Sequence, residues 1–250
     1  MERTKPPKKK LSENLSSDTL FTFTSKLEFL VNMLEKGIYP RYIYERIPIP
    51  NKTWYYTVAA KCFCDIPLGK IKTHLNWFGN YGLGLNKKFL QDLGVSPVIY
   101  IHHNSKWIID ALLKGRIENL KTHPTLPFLK RHLGPDFKQE EGGNYKQSFR
   151  TFYDEREWRY IPEDNELETS DKNTTILDGI KLVYKKNLKT PFVNSKIILK
   201  PNDIEYVIID SLDVFIGLKT KLREIYQDDD DNYELMLSKI LIADRIIRDF

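Results

Sequence analysis

The sequence predicts a single mixed α+β domain, and three observations predict it. Segments with the two-residue alternation of strands stand among segments with the 3.6-residue period of helices, the two kinds follow no regular β-α-β order, and no internal repeat recurs. With 250 residues, 41% of them hydrophobic and 12% aromatic, the chain is long enough to bury one sizeable core. Charged residues make up 29%, and no apolar run approaches the roughly 18 residues that a membrane span requires, so no membrane partner is expected. The basic opening runs into Leu11-Ser12-Glu13-Asn14 instead of an apolar stretch, so no secretory signal is expected. A cytoplasmic location fits the two cysteines, Cys62 and Cys64, which are expected on opposite faces of a strand and unpaired.

Taken in order, residues 1–18 are expected to be a disordered basic arm and 19–250 the domain. Arg3, Lys5, Lys8, Lys9 and Lys10 against Glu2 put a net +4 of the chain's +5 into the first ten residues, which makes the arm the place where a nucleic-acid partner is foreseen. Residues 20–24 alternate as a strand, setting Thr22 and Thr24 on one face and the phenyl rings on the other. A helix follows, with Ser25 as cap, Glu28 three residues on, an apolar stripe of Leu27, Leu30, Val31 and Leu34, and Gly37 as its end. Residues 38–50, with three prolines, read as an irregular arm, and 54–63 as a strand or a pair of short ones.

Residues 69–77 are helical and carry His74; Gly79, Gly82 and Gly84 then imply backbone held close to a neighbouring strand or to a ligand. Residues 90–94 close a short helix, 97–101 form a buried strand ended by His102 and His103, which point apart, and 108–120 are an amphipathic helix. Pro124, Pro127 and Pro135 break the next stretch, and 136–148, with Gly142-Gly143, is the expected flexible loop before a strand region at 149–161. After a polar loop at 163–175 come short strands at 196–199 and 206–210, a helix at 212–226, a solvated loop at Asp228–Asp231 and a final helix at 233–247. The aspartate run lacks the alternation and the glycine of a calcium loop.

The strongest candidate for chemistry is Glu155-x-Glu157-x-Arg159. Strand alternation places these three on one face, with Arg156, Trp158 and Tyr160 on the other. Two carboxylates about 6 to 7 Å apart raise each other's pKa and suit acid/base work or stabilisation of an oxocarbenium-like cation, whereas a plain ion cluster around Arg159 is the structural alternative. No zinc spacing, phosphate loop, dinucleotide-binding glycine fingerprint or serine elbow is present, and no metal is expected.

Residues 20–24 with their helix and Gly37-Ile38-Tyr39-Pro40, then Cys62-Phe63-Cys64-Asp65-Ile66-Pro67-Leu68, His74, Tyr81-Gly82-Leu83-Gly84-Leu85, residues 96–100 and Tyr153 through Tyr160, in that order, resemble the AbiGi family of abortive phage-infection proteins. The resemblance extends over about residues 19–250. It implies phage defence on the antitoxin side of a toxin-antitoxin pair, with a toxin or a phage protein as partner, and supplies no mechanism. A weaker resemblance, to the outline of ADP-ribosyltransferases, implies a split sheet with flanking helices and NAD as substrate. It would give Glu157 the catalytic role with Glu155 beside it, Thr22 and Thr24 the ribose, Tyr81 the stacking position, and His74 and Arg159 supporting places in the cofactor set. Thr22 stands where many such enzymes have histidine. Two functions therefore remain open: NAD-dependent ADP-ribosyl transfer or NAD cleavage, and a non-catalytic antitoxin or sensor.

Overall fold

A computed structural model describes residues 17–49, 52–105, 125–139, 145–163, 168–170 and 194–249, with 179, 182, 183, 186, 187 and 192 between them. The expected helix at 108–120 and all but the last two residues of the basic arm lie outside the described residues.

The 20–24 segment forms β1 (Thr19–Thr24), which pairs antiparallel along its whole length with β4 (Tyr81–Asn86), from Thr19↔Asn86 to Thr24↔Tyr81. The sheet around them runs β13 (Ile240–Ile242), β12 (Ile204–Ile209), β4, β1, β3 (Lys52–Cys64), β10 (Glu157–Tyr160), β5 (Ser96–Pro97). β3 also pairs with β2 (Arg41–Ile49) and β11 (Glu168–Ser170), one along each of its edges, at residues 55–57. Among the described strands of this sheet only β12 and β13 are parallel, and the fold class is the mixed α+β one that the sequence predicts.

Alternation gives the sheet two apolar faces. One carries Leu20, Phe63, Leu83 and Val207 against α1 (Leu27–Lys36), α4 (Leu212–Ile225) and α5 (Asp230–Ser238); the other carries Phe21, Cys64 and Ile208 against α2 (Lys72–Phe78) and α6 (Ala243–Asp249). The short α3 (Lys87–Asp92) follows β4 directly, with Asn86 accepting from the Phe89 amide at its start. The alternatives left open for the glycines resolve to a neighbouring strand. A Cβ on Gly84 would meet the Phe21 ring at 2.9 Å, and one on Gly82 would meet the Thr22 carbonyl oxygen at 2.8 Å.

Several expectations are corrected. The expected irregular arm at 38–50 is a strand over Arg41–Ile49, since β2 pairs with β3 from Arg41↔Ala60 to Ile49↔Lys52; among the described residues β2 pairs only with β3, and an edge strand tolerates a proline that cannot donate. The 97–101 strand is divided, β5 joining β10 and β6 (Ile99–Ile101) pairing in parallel with β7 (Leu129–Arg131), which leaves Ile99 46% exposed. The 136–148 loop is largely a hairpin of β8 (Leu133–Gln139) and β9 (Tyr145–Thr151), whose ladder satisfies the backbone of a polar sequence. Lys26, without a side-chain cap, holds the N-terminal position of α1 in place of Ser25, whereas Gly37 ends that helix at φ +88 as expected. Among the described residues, 196–199 make only the bridge Ile38↔Ile197. Asp229 caps α5 by accepting from the Asn232 amide, so the aspartate run starts a helix, favoured there by the positive end of the helix dipole. The expected final helix is interrupted by β13, an apolar Ile-Leu-Ile that finds a partner in β12.

Candidate functional site

Register builds the site. Glu157 pairs with Cys64 and Arg159 with Cys62, so these four side chains share one face of the sheet. The cysteines thus lie on the same face, against the expectation, because residues two apart in a strand point the same way; both are free thiols. Trp158 and Tyr160 pack on the opposite side against the core of Leu20 and Leu83. Glu155 is not part of this alternation, because β10 begins at Glu157. It ends a 3-10 turn at Phe152–Glu155, and the left-handed Arg156 at φ +46 turns the chain so that both carboxylates meet the same ammonium.

That ammonium is Lys130, in β7. Its Nζ donates to Glu155 Oε2 at 2.6 Å and also to Glu157 Oε2. Arg159, with no exposed surface, donates through Nε to Glu157 Oε1 at 2.6 Å, through Nη2 to Glu45, and through Nη1 to the Pro127 carbonyl at 2.7 Å. Arg150 meets Glu155 Oε1 at 3.2 Å and lies 4.0 Å from the centre of the Trp77 ring. The result is a buried chain of alternating charge, Arg150, Glu155, Lys130, Glu157, Arg159, Glu45. The Tyr100 hydroxyl accepts the Glu157 amide at 2.8 Å, and His74 Nε2 lies 3.4 Å from the Glu155 carbonyl oxygen.

The two glutamates are driven apart. Burial works to raise Glu157, but the Arg159 and Lys130 charges outweigh it and hold its carboxyl below the usual range. For Glu155 burial wins over the attraction of Lys130, and the neighbouring Glu157 charge pushes the same way, so its pKa is raised. Burial opposes the Lys130 charge, yet Glu157, Glu155 and Glu45 together keep its pKa well above that of an ordinary lysine. Burial lowers His74, and it raises the Cys62 and Cys64 thiols, which are held protonated.

Beside this chain lies a cleft. β1 and β3 share the single register pair Phe21↔Cys64, and where they part they leave an opening of about 1010 Å³. Thr22, Thr24, His74, Glu155 and Glu157 all line it; Tyr81 and Arg159 do not. The registers separate these residues further. Tyr81 pairs with Thr24 and shares its face with Thr22, whereas Glu157, through Cys64 and Phe21, belongs to the opposite face. The convergence of Thr22, Tyr81 and Glu157 implied by the transferase resemblance is therefore not formed: Thr22 reaches the cleft from the other side of the sheet, and Tyr81 packs into the core instead. Among the described residues no group of three or more His, Cys, Asp or Glu side chains is placed to hold a metal. None of the described helices is long and apolar enough to cross a membrane. His102 and His103 do not point apart as expected; their ring centroids are 4.3 Å apart in the turn after β6.

Lys130, Glu45, Arg150 and Tyr56, whose hydroxyl lies 3.3 Å from Arg159 Nη1, were not foreseen. A glutamate among tyrosines, Glu45 beside Tyr42 and Tyr44, is the signal that was there to be read, since a charge in such a setting requires a partner.

Residues 36–210 match the family model for the abortive phage resistance protein AbiGi, antitoxin. Over 252 residues the chain is 29% identical to the abortive phage resistance protein AbiGi of Lactococcus lactis subsp. cremoris, an alignment covering 84% of this chain and 98% of that protein. No solved structure gives a significant match.

Proposed function

This chain belongs to the AbiGi family of abortive phage-resistance proteins and so acts in bacterial anti-phage defence, and from that premise we propose that its working part is the cleft between β1 and β3. On this reading the cleft binds a small ligand, NAD, and the protein serves the antitoxin side as a binding module whose occupancy governs its hold on a toxin partner. The observation that supports it is that Thr22, Thr24, His74, Glu155 and Glu157 line one opening while every carboxylate oxygen of the two glutamates is held by Lys130, Arg150 or Arg159. A carboxylate so engaged does not reach a cation developing on a ribose without giving up its partners, which favours binding over turnover. Calorimetric titration of NAD into the purified protein, with the mixture assayed afterwards for free nicotinamide, tests it: saturable heat without nicotinamide is expected, and no heat overturns it.

One observation favours turnover as a second reading. Glu155 is pushed up and Glu157 down, and a pair of carboxyls driven apart in this way is how an acid and a base are assigned to one site. Nicotinamide release that disappears in Glu157→Gln would establish it.

A further inference from the structure

The acids that line the cleft are all satisfied from within the chain. Glu45 meets Arg159, Asp136 meets Arg150 at 3.3 Å, and Glu155 and Glu157 share Lys130. Lys61, which also lines the cleft, has no hydrogen-bonded or ion-paired acid among the described residues. Lys61 is only partly exposed, and burial, with the like charge of Arg41 adding to it, brings its pKa down to about 8. A partly buried ammonium without an anion is a costly arrangement unless something else supplies the charge.

The register says where that charge belongs. Lys61 alternates with Cys62 and Cys64 and so lies on the face opposite Glu157, the face of Phe63, Thr22 and Thr24 that α1 covers. On that side the cleft is lined by Lys61, Thr22 and Thr24, and Asn32 and Lys36 of α1. Lys36 Nζ donates to Asn32 at 3.1 Å, which keeps a second ammonium at the rim. One side of the opening is thus a self-neutralised ion chain, and the other offers cations and threonines.

We propose that Lys61 is the anchor for the phosphate of a ligand that enters the cleft on its α1 side, a pyrophosphate or a nucleotide carrying one. The inference rests on the cleft being a binding site and not on NAD being its ligand. An ammonium with threonines lining the same side suits phosphate oxygens, which accept several charge-assisted hydrogen bonds at once. The paired glutamates on the far side keep the ligand's charged end from settling there.

Titrations of inorganic pyrophosphate, NAD and adenosine into wild-type protein, Lys61→Met and Lys61→Arg decide it. Pyrophosphate is expected to bind the wild type, to lose at least about tenfold in affinity in Lys61→Met and to stay within about threefold in Lys61→Arg, while adenosine binds weakly and equally in all three. Pyrophosphate binding with NAD excluded supports a free-phosphate site, and binding of both supports a nucleotide site. Equal pyrophosphate affinity in wild type and Lys61→Met overturns the anchor while leaving the cleft reading intact, and absence of any binding to the wild type overturns both. In NMR of the folded wild type, the Lys61 amine should titrate near 8 and move upward by at least about one unit when pyrophosphate is added, a shift that a merely structural lysine does not make.

Discussion

Arg159 and Glu157 stand two apart in one strand and are joined at 2.6 Å with no part of the arginine exposed. A guanidinium in that position serves two acids at once, Glu157 and Glu45, and ties β10 to β2, which are not neighbours in the sheet.

Replacing Arg159 with Met therefore leaves two buried carboxylates short of their counter-charge. Urea unfolding should show a loss of roughly 3–5 kcal/mol. A loss below about 1 kcal/mol would mean that the carboxylates are reached by water and that the ion chain is not buried as described.

Glu157 carries a pH signature. Its folded pKa lies below the ordinary 4.5, so its contribution to stability is fully present above that value and fades as pH falls through the folded one. Glu157→Gln should fold, lose about 1–3 kcal/mol at neutral pH, and show a flatter decline of stability between about pH 5 and pH 3 than the wild type. Parallel acid limbs for the two proteins would contradict the assignment.

Lys61 has the opposite sense. Its folded pKa of about 8 is below the ordinary 10.5, so the unfolded chain holds more protons between those values and stability rises with pH across that window. Below pH 8 the charged amine is a burden. Lys61→Met should raise Tm by a few degrees at pH 7 and much less near pH 10.5; a lower Tm at pH 7 would show that the amine has found a partner.

Gly84 is fixed by what stands over it. A Cβ there would meet the Phe21 ring, the Thr19 methyl and the Tyr206 ring, all at 2.9 Å, so Gly84→Ala should cost roughly 1–3 kcal/mol in thermal unfolding. Gly94, with nothing within 4 Å of its Cβ position but a φ of +86, should lose less, through backbone strain alone.

What could be read in the sequence was what depends on near neighbours. The pairing of Glu157 with Arg159 follows from alternation over three residues, and the close approach behind Gly82 and Gly84 from the absence of side chains. The order of the cysteine, glycine and Glu155–Tyr160 blocks carried the family. What could not be read depends on distant chain: Lys130 is 25 residues from Glu155, and Glu45 is 114 from Arg159, so no short spacing announces either. The prolines of residues 38–50 concealed β2, because a proline marks a break unless a partner strand supplies the ladder. The transferase outline placed Thr22 and Glu157 together by analogy, but the register across Phe21 and Cys64 decides faces, and it puts them on opposite ones.

The most direct test of the account is calorimetric titration of NAD into the purified chain, alongside Thr24→Trp, which fills the opening between β1 and β3 from a residue that lines it. The account predicts one saturable site per wild-type chain and its loss in Thr24→Trp with folding retained. Equal binding by both proteins, or none by the wild type, would contradict the cleft as the NAD-binding site and working part of this defence protein.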